Sequence, residues 1–138
     1  MSRFKEQRLW DRIRKAANGR IHTERIENVV GVGRPDVDTL CAGSFVPVEL
    51  KAIDGWPKRA STRVLGDEGL SQEQKNWHLT WQRWGGSSLI VVAVGTEVYG
   101  FGGVMADYVN GYNAAQFRAA ALLTGIEELI EFLERKSQ

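Results

Sequence analysis

Apolar and polar positions along the chain follow two periods. Leu9, Trp10, Ile13, Ala16 and Ala17 recur at spacings of three and four, which predicts a helix capped by Ser2 and ended by Asn18-Gly19. Residues 25–30 predict a strand closed by Gly31-Val32-Gly33. A hairpin is expected next, with strands at Pro35–Leu40 and Phe45–Lys51 around a turn at Cys41–Ser44. In its second strand Val46, Val48 and Leu50 share one face, while Glu49 and Lys51 share the other. Residues 52–69 read as a long loop, a length that marks functional or mobile segments. Ser71 and Gln74 form a capping box ahead of a helix reaching about Trp84, with Trp77, Trp81 and Trp84 on one stripe and Gly85-Gly86 as its stop. Ser88–Val94 reads as a buried strand and Val98–Phe101 as a short edge strand. The tail predicts two helices, about 114–123 and 125–135, the second opened by a Thr124/Glu127 capping box. The resulting order is helix, three strands, helix, strand and helical tail, an α/β domain on one central sheet.

At 138 residues the chain fits one domain, divided here into a core at about 4–101 and a tail at about 103–138. A single cysteine, Cys41, excludes a disulfide framework and any zinc site built on two thiolates. With neither a signal-peptide run nor a membrane-length apolar stretch, a soluble, intracellular, cytoplasmic protein is expected. The net charge of +1 is uninformative, but its distribution is not. Residues 1–25 carry eight Lys/Arg against three acids, whereas residues 97–138 carry three against six. A basic first segment reads either as a solvated helix face or as the footprint of a nucleic-acid partner.

Two polar features sit badly in a purely structural chain. Glu6 lies in line with the apolar stripe of the first helix, three, four and seven residues before Leu9, Trp10 and Ile13. It is either a solvated residue of a frayed first turn or a carboxylate with a task. In the hairpin, a loop at 41–44 makes opposed residue numbers sum to 85 and sets Asp36 directly across from Glu49, with Cβ atoms about 4.5–5.5 Å apart. Lys51 shares that face. Two acids and a lysine converging on one point describe a divalent-cation site better than an ion pair.

These residues resemble a known signature. Gly33-Arg-Pro-Asp36 followed by Val48-Glu-Leu-Lys51 is similar to the PD-(D/E)xK nuclease motif. The flanks resemble the same superfamily: a glutamate on the first helix, Arg25-Ile-Glu-Asn28, and Leu70-Ser-Gln-Glu-Gln74 before the Trp-rich helix. The resemblance spans about residues 4–95. It is greatest to small stand-alone VRR-NUC enzymes and archaeal-type Holliday junction resolvases, which are often virus- or phage-encoded. It implies a restriction-endonuclease-like core, a central mixed sheet flanked by helices in the order α-β-β-β-α-β. It further implies that Asp36 and Glu49 hold a metal ion with the Leu50 backbone carbonyl, and that Lys51 orients or deprotonates the attacking water. Glu6 then bears on the metal directly or through water, and Gln74 joins the active site, although a capping box alone also accounts for it. Oxygen donors without a His or Cys cluster favour Mg²⁺, with Mn²⁺ as substitute.

The remaining candidates are weaker. Glu27 is either a further acid or a solvated strand residue, Asp38 fits a rim, and Glu24 fits the surface. His22 and His78 lack partners at ligand spacing, and Cys41 lacks a catalytic pattern. Gly31-x-Gly33 fails as a dinucleotide loop because Asp36 stands at the third glycine position. The expected function is a Mg²⁺-dependent DNA endonuclease selective for branched DNA. The rivals are a nicking or restriction-like nuclease and a catalytically silent nucleic-acid-binding module. Paired junction cuts call for a homodimer, expected through the Trp stripe or, by preference, the tail. Arg8, Arg12 and Arg14, with Lys58, Arg59 and Arg63, are the candidate DNA contacts.

Overall fold

The computed structural model describes residues 2–26 and 33–135, with the side chains of residues 2–4 left aside. The chain runs α1 (Ser2–Ala17), β1 (His22–Arg25), β2 (Val37–Cys41), β3 (Ser44–Ile53), α2 (Gln72–Arg83), β4 (Leu89–Val94), β5 (Glu97–Gly102), α3 (Ala114–Ala120), β6 (Leu123–Thr124) and α4 (Ile126–Arg135). Six strands form one mixed sheet in sequence order, antiparallel throughout except for the parallel pair β3·β4.

Alternation along the central strands sorts side chains into two cores. On one face Val46, Val48, Leu50 and Ala52 of β3 and Leu89, Val91 and Ala93 of β4 meet Leu9, Trp10, Ile13 and Ala17 of α1. Leu129, Ile130 and Leu133 of α4 complete that layer. On the other face Ile53, Ile90, Val92, Tyr99 and Phe101 pack against Val64, Leu65, Leu70, Val109 and Phe117. The tail therefore covers both faces of the sheet, while Val104, Tyr108 and Leu122 stay exposed. Among the described residues no helix is long and apolar enough to cross a membrane.

Several expectations need correction. The strand expected at 25–30 is instead β1 at His22–Arg25, and residues 27–30, with Glu27, lie outside the described residues. The hairpin turn is the two-residue Ala42-Gly43, both at positive φ (49° and 87°), which matches the twist of the flanking strands. Val98–Phe101 is not an edge, because β5 pairs with β6 on its far side. The first tail helix stops at Ala120. Thr124 is served by Glu128, whose carboxylate accepts its backbone N–H at 2.9 Å, while Glu127 pairs with Arg20 at 3.0 Å. The segment after β3 is tied down rather than loose. Trp56 Nε1 donates to Glu97 at 3.0 Å, Val64 N–H donates to the Tyr112 carbonyl, and Asn110 exchanges two hydrogen bonds with the Leu70 backbone.

Candidate active site

The site arises because two adjacent strands differ in length. The β2·β3 ladder ends at Val37↔Val48, while β3 continues to Ile53 along β4. Among the described residues, no strand faces the exposed β3 edge beyond Val48. Asp36, just before β2, fills the gap with its side chain: Oδ2 accepts the Leu50 backbone N–H at 2.9 Å. A strand residue sends its N–H and C=O to the same side, so the Leu50 carbonyl faces this gap too. The Asp36 carbonyl accepts the Ile26 N–H at 2.7 Å, which holds the turn against the end of β1.

Behind Asp36, Gly33 is buried at φ 87°, and a Cβ there would stand 2.3 Å from the Glu73 carbonyl oxygen. Only glycine allows the turn to sit directly on the first turn of α2. That contact sets the distance between Asp36 and Gln74. Gln74 serves the capping box and also reaches Glu49. Its Oε1 accepts the Ser71 N–H at 2.9 Å in the capping box, and its Nε2 donates to Glu49 Oε2 at 3.1 Å.

Glu49 is only 1% exposed. Its second oxygen, Oε1, has no hydrogen-bond partner among the described residues. Burial holds the carboxyl well above its usual range, and the charge of Asp36 raises it further. A proton on Glu49 also lies within reach of Asp36, Glu6 adds to the rise, and Lys51 opposes it. Glu6 is half-buried, and its carboxyl is raised first by burial and then by Asp36, with Lys51 and Arg25 pulling it down. The acid in phase with the α1 core stripe thus emerges beside the open edge. Glu6, Asp36, Glu49, Lys51 and Gln74 are brought into one electrostatic neighbourhood.

The donor set suits a hard cation. Two carboxylates, one with an unused buried oxygen, and a backbone carbonyl face the same gap. Among the described residues no three His, Cys, Asp or Glu side chains gather closely enough to enclose a metal alone, so Glu6 flanks the pair rather than closing a cage.

The other candidates fall outside this cluster. Asp38 pairs with Arg34 at 2.8 Å, and Arg34 lies over the Trp77 ring at 5.7 Å. Glu24 is exposed and 3.2 Å from His22. His78 is fully buried, donating to or accepting from Ser88 Oγ at 2.7 Å, and burial lowers its pKa to about 4. Cys41 is a free, half-buried thiol in the hairpin. Arg14 pairs with Asp11 at 3.4 Å, apart from the cleft that Arg8 and Arg12 line, and Lys58, Arg59 and Arg63 are exposed on the pinned segment. Gly33 is the residue that sequence reasoning passed over as a positioning element; its place in a Gly-Arg-Pro turn was the available signal.

No protein-family model matches the chain, and no curated protein sequence matches it. Its structure is similar to that of Hjc, a Holliday junction resolvase from the archaeal hyperthermophile Archaeoglobus fulgidus. The TM-score is 0.62 at 16% identity, covering 98% of this chain and 99% of that one. The likeness extends through the tail that the sequence motifs did not reach. The mixed α/β fold, with its six-stranded sheet, flanking helices and C-terminal helix, is the fold of that resolvase.

Proposed function

We propose that the chain is a metal-dependent DNA endonuclease, selective for branched DNA such as a four-way junction. The observation that carries the reading is Glu49: a buried carboxylate with an unused oxygen, set against Asp36 at an open sheet edge with Lys51 on the same strand. A silent binding module has no use for such a costly pair. The branch preference rests on the whole-chain likeness to a resolvase.

In this reading Asp36, Glu49 and the Leu50 carbonyl would hold Mg²⁺ or Mn²⁺, with Glu6 bearing on it directly or through water. When bound, such an ion would supply charge neutralisation at the phosphate and acidify a nearby water. Lys51 orients the attacking water and offsets charge that builds on the phosphate. Gln74 fixes the Glu49 carboxylate through one oxygen and leaves the other for the ion.

Two symmetric cuts call for two copies. Much of the tail covers the sheet, so of the two expected surfaces we favour the aromatic face of α2 for a second copy. Trp77 and Trp81 stack at 4.8 Å, Phe45 meets Trp81 edge-on at 6.2 Å, and Leu40 and Trp84 are exposed beside them. Sedimentation at micromolar concentration should give a dimer, and Trp81→Glu a monomer.

The deciding assay compares a labelled four-way junction with matching linear duplex, in Mg²⁺ and in chelator. Mg²⁺-dependent cuts confined to the junction are expected. Equal cutting of both leaves a nuclease without branch selectivity, and binding without cutting in Mg²⁺ or Mn²⁺ overturns the enzymatic reading.

A further inference from the structure

A cleft of about 260 Å³ opens between α1 and the carboxyl ends of the parallel pair β3·β4. Lys5, Arg8 and Arg12, spaced three and four apart, line one wall from a single helix face. Asp54, Gly95 and Thr96, which follow the two strands, line the other, and the floor is aliphatic. Three cations thus face one acid. Lys5 Nζ pairs with Asp54 at 3.0 Å, but the Asp54 carboxylate is 88% exposed and lies at the mouth. Arg12 uses one guanidinium N–H on the Thr96 carbonyl at 3.1 Å, which fixes its plane and leaves other donors of the fork. Arg8 makes no ion pair among the described residues.

The cleft shares no residue with the candidate active site; it lies on the α1 face of the sheet, a short way along α1 and β3 from Glu6 and Lys51. Lys5 neighbours Glu6, and Arg12 lies about 9 Å beyond Glu6 along the helix axis. The strand ends lie about 7 Å beyond Lys51 along β3. At about 3.4 Å of rise per nucleotide, this is roughly two to four nucleotides from a phosphate held at Asp36 and Glu49. An aliphatic floor offers nothing to base edges, whereas fork and ammonium donors suit a phosphodiester.

We propose that this cleft is a subsite for a backbone phosphate of the cut strand, two to four nucleotides to one side of the scissile bond. Asp54 acts as a placeholder that the DNA displaces from Lys5. The inference rests on the nuclease reading for its register, not for its chemistry.

The test is equilibrium binding in chelator, using four-way junctions with one uncharged methylphosphonate at each of four positions on either side of the mapped cut. Native protein should lose about tenfold in affinity at one position on one side. The Arg8→Gln/Arg12→Gln variant should bind unmodified junction more weakly by a similar factor and show no further loss at that position. Its plot of log affinity against log salt should be shallower by roughly one to two. Asp54→Asn should tighten binding by roughly threefold, whereas Asp11→Asn, the same charge change away from the cleft, should not. A methylphosphonate profile identical in native protein and double variant overturns the subsite. Equal tightening by Asp54→Asn and Asp11→Asn overturns the displacement. Binding that obeys these expectations without any cutting in Mg²⁺ strikes the nuclease reading alone.

Discussion

Replacing Glu49 by glutamine should abolish cleavage and, in the absence of metal, make the protein more stable. The carboxylate is 1% exposed, has one oxygen without a donor, and faces Asp36 and Glu6. An amide of the same shape keeps an acceptor for Gln74 Nε2 and presents a donor towards Asp36. Relieving a buried, uncompensated charge of this kind is worth about 1–3 kcal/mol. For a chain this size, that raises the melting temperature by roughly 3–10 °C. The sign follows from the raised carboxyl. Unfolded glutamate loses its proton near its usual value of 4.5, whereas folded Glu49 keeps its proton to higher pH. Native stability therefore falls as pH rises from about 4.5 through the folded value, and the variant escapes that fall. Melting curves in chelator should coincide in their Glu49 contribution at pH 4 and diverge by pH 8. Saturating Mg²⁺ should invert the order, since an ion at a hundredfold excess over its Kd stabilises the native protein by about 2.7 kcal/mol. A variant no more stable than native protein at pH 8 in chelator would refute the strain argument, and Mg²⁺-dependent cleavage by it would refute the site.

Three further outcomes are expected. Gln74→Ala should lower the cleavage rate by about 10–100-fold, as loss of a group that orients a metal ligand does, while Gln74→Glu, which preserves the capping box, should be no better; full activity of Gln74→Glu would confine Gln74 to helix capping. Gly33→Ala should cost about 1–3 kcal/mol and about a hundredfold in rate, because its Cβ must displace the α2 backbone and move Asp36 with it; melting together with single-turnover cleavage would show whether activity survives. His78, held near pKa 4 in the fold against 6.5 unfolded, should remove about 3 kcal/mol of stability as pH falls from 6.5 to 4. Chemical denaturation of His78→Gln across that range should lack this slope, and a retained slope would assign the acid lability elsewhere.

The fold was legible where its determinants are local. Helix phase located α1 and α2, and alternation placed the β3 faces. The hairpin register survived a wrong turn length, because a two-residue turn and a four-residue loop share one centre between Ala42 and Gly43. What stayed hidden depends on distant partners. Leu123-Thr124 is too short to show a period, and it is a strand because β5 needs a neighbour: Gly100 lacks the Cβ that would collide with Leu123. Likewise, nothing within residues 52–69 reveals that Glu97 and Tyr112 hold that segment down.

The candidate site was legible for a related reason and incomplete for another. Alternation puts Glu49 and Lys51 on one face, and hairpin symmetry brings Asp36 opposite. Helix phase aims Glu6 at the core, which an acid can tolerate only where the core layer breaks. Pattern does not show that β2 begins only at Val37 while β3 runs five residues past their last pair, nor that Gly33 carries the preceding turn onto α2. Those two facts create the site. A sheet edge left without a strand must satisfy its amides some other way, and here a carboxylate satisfies the Leu50 N–H. Two more β2 pairs, Asp36 with Glu49 and Pro35 with Leu50, would answer that amide from the main chain and take it away from the Asp36 carboxylate. The short strand thus shapes the candidate site as much as the acids it exposes.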